Sequence, residues 1–405
     1  NMRLGISSSG ALIHHIKSNL SSTINHISKL IPITNNDVLV LDAFTIKNLE
    51  IFNSLSMQGV HGTLIDCIDM TLTSGGGRLL RKRLTSPSTD LKLINNQLNI
   101  VDAFFQNILM TKAIREILYK TSDIQRILGK INKKKATPRD VFSLGSTLEK
   151  IPKLQKMISS VANNSLDEFS NSFLDTKYIA EKIISTINEK PSIHISSGDI
   201  IKVGIDNELD QLRLLLANGK EWITIFQNSL RKELDISNLK INYNKVFGFF
   251  IEVTKVHLNK IPDSFSRKQT LTNSERFITK ELKDYEEKVL NAEEKIFLIE
   301  SQLFNEICDF IISEINPLQK TAFTMSFLDL CTSFAYLANN NNYVKPNLVS
   351  QPILEIENGR HPVVEKLLPK TEKFIPNDTS IDININQIHL LTGPNMAGKS
   401  TYLRQ

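Results

Sequence analysis

Two runs of apolar residues at alternating four- and three-residue steps set the tightest limit on how this chain can fold. Ile205, Leu209, Leu212, Leu216, Ile223, Phe226 and Leu230 form the first, with one place skipped at Gly219. Ile278, Leu282, Tyr285, Val289, Ala292, Ile296, Ile299, Leu303, Ile307 and Phe310 form the second. A seam of that period is buried only by another helix lying alongside, so the pair predicts two long helices packed over a long distance. No proline or glycine interrupts the chain from Ser264 to Asn316, and Thr272 and Glu275 have the Thr-x-x-Glu spacing of a capping box, which predicts the second helix's start. Roughly 40 residues at about 1.5 Å each give a rod of about 60 Å.

Between the seams the period changes to two. In "KVFGFFIEVTK", Phe247, Phe249, Ile251 and Val253 fall on one side and Gly248, Phe250 and Glu252 on the other. "LKINY" upstream can pair with it through a turn at "NYNK" (242–245), so a small β-rich module between the helices is predicted. The charge is concentrated there. The chain has a net charge of +5, and residues 231–283 hold 11 Lys/Arg against 6 Asp/Glu, so the rest sums to zero. A local excess of this kind is the footprint of a polyanion partner. On charge alone, a solvated basic face accounts for it equally well.

At 405 residues the chain is too long for one core, and two to four domains are expected. No apolar stretch approaches the roughly 18 residues of a membrane span. Cys67, Cys308 and Cys331 lack metal or redox spacing, which points to a reducing compartment. The opening "NMRLGISSSGALIHHIKSN" has no long apolar core of a secretory signal, and its first residue, Asn1, suggests a piece of a longer protein. Residues 11–230 read as mostly helical, with breaks at 29–37, 133–140 and 188–199. "TSGGGRLLRKRL" (73–84) lacks the Gly-Lys-Ser ending of a phosphate loop; a helix starting after Gly77, with Arg81 and Arg83 exposed, is the expectation. The Lys133–Lys135 run reads as a solvated loop, and His61, His194 and His361 as structural residues.

Toward the end the texture changes. An asparagine-rich tract (337–347) suits a domain border, "PILEIENGRHPVVEKLL" reads as strand and turn, and "QIHLL" (387–391) as a short strand feeding a glycine loop, the opening of an α/β domain. Gly393, Gly398, Lys399 and Ser400 satisfy G-x-x-x-x-G-K-[ST]. The glycines let backbone N–H groups curl around a triphosphate, Lys399 reaches the β- and γ-phosphates, and Ser400 places its hydroxyl on Mg²⁺. Hydrolysis needs an acidic strand and a water-orienting residue as well. In this topology both follow the loop's helix, beyond Gln405, so no catalytic residue is expected within the chain.

These stretches resemble the MutS mismatch-repair family. "TGPNMAGKSTYLRQ" looks like its Walker A segment and "ENGRHPVVE" like the lead-in to its ATPase domain. "YNKVFGFFIEVTK" and "RKQTLTNSERFITKELKDYEEKVL" are similar to its DNA clamp and the helix returning from it, and "LDAFTIKNLEIF" and "GGGRLLRKRL" to its core, or lever, domain. The motifs stand in the family's order from about residue 38 onward. The resemblance implies a mainly α fold with a small β-rich clamp inserted between two long helices, followed by the start of an α/β P-loop ATPase domain. Its segments would be 1–30 (end of a connector), 31–230 (helical core or lever), 231–283 (clamp), 284–320 (returning lever helix) and 321–405 (N-terminal part of the ATPase domain).

By the same resemblance, Gly393, Pro394, Asn395, Met396, Ala397, Gly398, Lys399, Ser400 and Thr401 would hold ATP or ADP, with Phe374 stacked on the adenine and Ser400 on Mg²⁺. Ala397 stands where many members carry glycine, and a core phenylalanine is the other reading of Phe374. Lys255, Arg267, Lys268 and Gln269 would contact the DNA backbone and position the duplex without reading sequence. The implied partners are double-stranded DNA with mismatches or small loops, a second subunit (a homodimer, favoured by the bacterial-looking clamp motif, or a heterodimer) and a downstream MutL-type repair protein, with no membrane. The implied setting is the bacterial cytoplasm, at the nucleoid, or an organelle. The family's Phe-x-Glu mismatch wedge has no counterpart in these residues, so a recombination-type relative that clamps DNA without probing mismatches is the alternative. A structural ATPase of the SMC kind carries its P-loop before its coiled arms, the reverse of the order here. A nucleotide-binding module whose basic tip binds protein is the third reading.

Overall fold

The computed structural model describes residues 3–19, 30, 38–55, 59–195, 198–244, 248–369, 371–394 and 398–405. Its first helices are α1 (Arg3–Asn19), α2 (Ala43–Asn48), α3 (Leu64–Ile68), α4 (Ser74–Thr85), α5 (Leu91–Gln106), α6 (Ile108–Tyr119) and α7 (Ile124–Asn132). Then come α8 (Pro138–Leu148), α9 (Ile151–Ser159), α10 (Asn164–Ser170), α11 (Lys177–Thr186) and the long α12 (Asn207–Glu233). Strands β1 (Lys240–Asn244), β2 (Gly248–Thr254), β3 (Ser266–Thr270) and β4 (Ser274–Ile278) precede α13 (Lys280–Ser313) and α14 (Ile315–Asn341). The chain closes with β5 (Ile353–Gly359), α15 (Pro362–Leu367), β6 (Asn377–Asp382) and α16 (Lys399–Arg404). It is thus mostly helical with a small antiparallel sheet. Among the described residues no helix is long and apolar enough to cross a membrane.

Contacts divide the chain into two units, residues 1–129, 146–178 and 314–405 in one and 130–145 and 179–313 in the other. The first is built around α14. Leu318, Ala322, Met325, Leu328, Cys331 and Ala335 are all buried, and α14 packs against α4, α5 and α6. A helix apolar on every side must be an interior helix. The domain border expected at residue 320 falls inside α14, which runs on to Asn341.

α4 begins at Ser74, before the three glycines and not after Gly77 as its sequence suggests. The reason is a remote acceptor. Buried Asp329 of α14 accepts from the N–H groups of Leu72 (3.0 Å) and Thr73 (2.7 Å) and from the Thr73 hydroxyl (2.7 Å), whose oxygen in turn accepts from Gly76 N–H at 2.9 Å. The carboxyl group therefore stands at the N-terminal end of α4, where the helix dipole favours negative charge. Arg81 is exposed as expected, but Arg83 is half-buried.

Burial pushes the thiols of Cys331 and Cys308 up to about 12, so both stay protonated at neutral pH. Ellman's reagent at pH 8 is therefore expected to leave these two cysteines unmodified in the folded chain and to label them only after denaturation. Rapid titration of all three thiols in buffer would contradict the packing described here.

In the second unit α12 and α13 lie side by side and antiparallel. Trp222 stacks on Tyr285 at 4.0 Å and on Phe226 at 4.9 Å, while Arg213, farther back along α12, meets Glu300, farther on along α13. The place skipped at Gly219 is where Tyr285 seats: a Cβ there would come within 2.1 Å of the tyrosine oxygen. Leu209, Leu230, Leu282, Ala292 and Ile296 are buried along the predicted seams. Past Ile296 the buried positions are Glu300, Phe304, Ile307 and Ile311, so the face shifts by one residue from Ile299, Leu303 and Phe310. A straight helix drifts from a strict 3.5-residue repeat, and here α13 also meets the segment at Ile200.

The capping box at Thr272 and Glu275 does not form. Ser274–Ile278 is a strand, Ile278 belongs to it and not to the helix, and the Thr279 hydroxyl accepts from Leu282 N–H at 3.3 Å at the start of α13. Pairing with β2 and β3 outweighs local helix propensity here. α13 accordingly spans 34 residues, about 51 Å at 1.5 Å each.

Candidate functional site

The sheet of the second unit is antiparallel in the order β1-β2-β4-β3. β1 pairs with β2 from Lys240↔Glu252 to Asn244↔Gly248, so residues 242–244 of the expected turn belong to β1, while 245–247, Phe247 among them, lie outside the described residues. On the inner face Ile251 and Val253 pack with Ile241, Phe277, Leu239 and Leu282, flanked by Phe249 and Trp222. That core seats the sheet on the ends of both long helices. Phe250, expected on the outer face, is nonetheless buried, because the Arg276 guanidinium covers its ring at 4.2 Å.

Three of the four candidate DNA contacts, Lys255, Arg267 and Lys268, are exposed, and Gln269 is half-buried. Lys255 is exposed at the start of a 3-10 turn (Lys255–Lys260), and Lys268 is exposed at an irregularity in β3, where the register with β4 shifts between Arg267 and Gln269. Arg267 and Gln269 each engage a side chain of the neighbouring strand β4. Arg267 Nε lies 2.8 Å from Oε2 of buried Glu275, and Gln269 Oε1 accepts from Arg276 Nη1 at 2.7 Å. Arg276 and Glu275 were not among the sequence candidates; the strand alternation at 274–278 was the signal that would have exposed them. Lys260, also within the basic segment, pairs with Asp235 at 2.8 Å. Its hydrogen bond holds the Asp235 carboxyl below the usual carboxylate range.

In the first unit the glycine loop opens α16. Gly398 has φ 85°, the left-handed region that favours glycine, and among the described residues nothing lies within 4 Å of where its Cβ would stand. A cavity of about 650 Å³ brings Gly393, Gly398, Lys399 and Thr401 together with Phe374, Lys373 and Tyr402. Phe374 is half-buried in the coil before β6, so it is neither at a strand start nor in a core. The Tyr402 hydroxyl interacts with Thr379 of β6 at 2.8 Å, which fixes α16 against the β5-β6 hairpin. Ser400 lines a smaller neighbouring cavity with Glu50, His361 and Arg404. Pro394 is exposed, and Asn395, Met396 and Ala397 lie outside the described residues. His361 has the structural role expected of it: its Nδ1 accepts from Val364 N–H at 3.4 Å and caps α15, and burial lowers its pKa.

The expected strand "QIHLL" is not formed. Residues 387–391 run as coil, with Ile388 and Leu390 almost wholly exposed. β5 and β6 pair only with each other, and a strand without a neighbour has no partner for its backbone groups among the described residues. Among those residues there is also no group of three His, Cys, Asp or Glu side chains that could hold a metal.

The model of the family MutS domain III matches residues 44–335, from α2 nearly to the end of α14. The DNA mismatch repair protein MutS of Alkaliphilus oremlandii is 41% identical over 402 residues, covering 99% of this chain and 46% of that protein. The protein of the same name from Clostridium botulinum strain Loch Maree is 43% identical over 397 residues, 97% of this chain and 42% of its own length. The chain thus spans less than half the length of these curated relatives. With most of its length matched by the domain III model, and nearly all of it aligned to those relatives, the chain belongs to the MutS family.

Proposed function

We propose that this chain is the DNA-holding and nucleotide-sensing middle of a mismatch-repair protein. Its four-stranded sheet grips the duplex backbone at the end of α12 and α13, and the glycine loop before α16 binds ATP or ADP with Mg²⁺. The observation that carries the reading is the basic segment 231–283 that holds the sheet, whose net charge equals that of the whole chain and in which Lys255 and Lys268 are exposed. Backbone contacts of this kind position a duplex and carry no sequence information. In the whole protein this grip belongs to a homodimer that closes on mismatched or looped DNA, slides after ATP exchange and recruits a MutL-type partner, in the bacterial cytoplasm.

The nucleotide cavity supports the second half of the proposal. Its size falls within the range of small-molecule sites, and it places an aromatic ring beside the phosphate-loop lysine. Phe374 would stack on the base, Lys399 would meet the β- and γ-phosphates, Gly393 and Gly398 would let the backbone close on them, and Ser400 would reach the metal. Bound Mg²⁺ would supply charge neutralisation of the phosphates.

Fluorescence anisotropy with a labelled 30-base-pair duplex tests the grip. This chain is expected to bind weakly, with a Kd of roughly 10⁻⁴–10⁻⁶ M at physiological salt, and to hold matched and mismatched duplexes alike. Lys255→Glu with Lys268→Glu should weaken binding to every duplex and reduce the salt slope by about 2. These two positions are better probes than Arg267, whose reversal would set a second negative charge against buried Glu275. Unchanged affinity and slope in the double variant would remove the sheet from the interface.

A further inference from the structure

The helices of the first unit line another cavity, open to solvent and of about 780 Å³. Its walls are mainly apolar: Leu93 and Ile100 from α5, Phe169 from α10, and Phe323 and Phe327 from α14. Phe169 meets Phe327 edge to face at 5.5 Å, while Phe323 and Leu93 remain 53% and 46% exposed, high values for large apolar side chains on a wall. Into this lining α4 delivers one cation. The Arg83 guanidinium carbon lies 5.0 Å from the centre of the Phe327 ring, and its Nη1 donates to Gln97 Oε1 at 2.9 Å. Among the described residues no carboxylate lies within ion-pair distance of it, and burial pushes its guanidinium below the ordinary value. Partly removing a cation from water without a counter-charge is costly, and arginine cannot escape by losing its proton. Exposed Lys320 adds a second positive charge at the cavity and exposed Glu168 a negative one, leaving an excess of one.

This combination selects its occupant. A nucleic acid backbone satisfies Arg83 and Lys320 but sets phosphates against Leu93, Ile100 and Phe323. A free inorganic anion leaves the apolar wall wet. A polypeptide segment covers the wall with an apolar side chain and answers Arg83 with a carboxylate, and arginine beside aromatic rings is the composition of interface hot spots. We propose that the cavity between α4, α5, α10 and α14 is a docking site for a partner protein, through a segment carrying a large apolar side chain next to an aspartate or glutamate. It is independent of the DNA and nucleotide sites proposed above.

The test is to pan a random twelve-residue display library on the whole chain and to measure the most enriched peptide, fluorescein-labelled, by anisotropy. Enriched sequences should share Phe, Leu or Trp beside Asp or Glu. Replacing that acid by its amide, or Arg83→Gln in the chain, should weaken binding about 10- to 100-fold, the size of a lost hydrogen bond to a charged group. Phe323→Ser, at a half-exposed position that leaves the fold intact, should weaken it too, so the result does not depend on Arg83→Gln folding well. Enrichment no better than on bare support, enriched peptides without an acid, binding indifferent to Phe323→Ser, or displacement of the peptide by a 30-base-pair duplex would each overturn the assignment.

Discussion

Alanine in place of Glu300 is expected to destabilise the second unit by about 3–5 kcal/mol, the range for removing one partner of a buried ion pair. Glu300 is fully buried on α13, and its Oε1 accepts from both Arg213 Nη2 and the backbone N–H of Ile200, the latter at 3.1 Å. Arg213 also donates to the carbonyl of Ile201 at 2.8 Å. One carboxylate thus ties α12, α13 and the segment before α12 together. Removing it strands the Ile200 N–H and leaves Arg213 with the Ile201 carbonyl and, for its charge, the more distant Asp210 at 3.7 Å. Trp222, the chain's one tryptophan, stacks within the same unit and reports its unfolding by fluorescence. The urea midpoint should fall with little change in slope. Glu300→Leu combined with Arg213→Met should recover much of the loss, since apolar replacement of a whole buried pair is often neutral. A loss below about 1 kcal/mol in the single variant would mean that the carboxylate is solvated.

That residue also marks where the sequence stops being readable. Leu209, Leu230, Leu282, Ala292 and Ile296 announce their burial through spacing, because a helix repeats its faces and apolar side chains seek the inner one. Glu300 gives no such signal: a charged residue at a helical position reads as solvent-facing, and only Arg213, 87 residues away, makes its burial tolerable. The strand at Ser274–Ile278 was hidden for a related reason. Thr-x-x-Glu is compatible with a helix cap and with a turn into a strand, and pairing with Glu252 and Val253 decides between them. At the nucleotide loop, Gly393, Gly398, Lys399 and Ser400 are legible from local spacing. That Phe374 shares a cavity with the loop depends on the β5-β6 hairpin, which spacing does not reveal. The basic segment showed where charge accumulates but not that Arg267 Nε meets Glu275 and Gln269 Oε1 meets Arg276, since both partners lie across the β3-β4 ladder.

The three glycines before "RLLRKRL" make the same point as an experiment, because each neighbour predicts a different outcome for alanine. At Gly76 the new Cβ would stand 2.2 Å from Asp329 Oδ2 and 2.8 Å from its Cγ. The carboxyl group cannot simply swing aside, since three donors from Leu72 and Thr73 fix it and one of them is the hydroxyl that caps Gly76. Overpacking of this kind costs about 1–3 kcal/mol, and loosening hydrogen bonds to a buried charged group about 1.5–3 kcal/mol more. Gly76→Ala is therefore expected to lose about 3 kcal/mol or more, read as a lowered midpoint in chemical unfolding. Gly75→Ala meets the Ser326 hydroxyl oxygen at 2.3 Å but that residue's Cβ only at 3.4 Å, so a rotated serine absorbs most of the strain at the expense of its bond to the Ala322 carbonyl. Its loss should stay near 1 kcal/mol. Gly77→Ala meets nothing closer than the Thr71 hydroxyl oxygen at 3.3 Å and should gain from helix propensity, which favours alanine by about 1 kcal/mol. A series in that order places the closest approach of α4 and α14 at Gly76. Equal effects at all three positions would mean that the glycines serve backbone freedom, and that Asp329 is not held where the helix needs it.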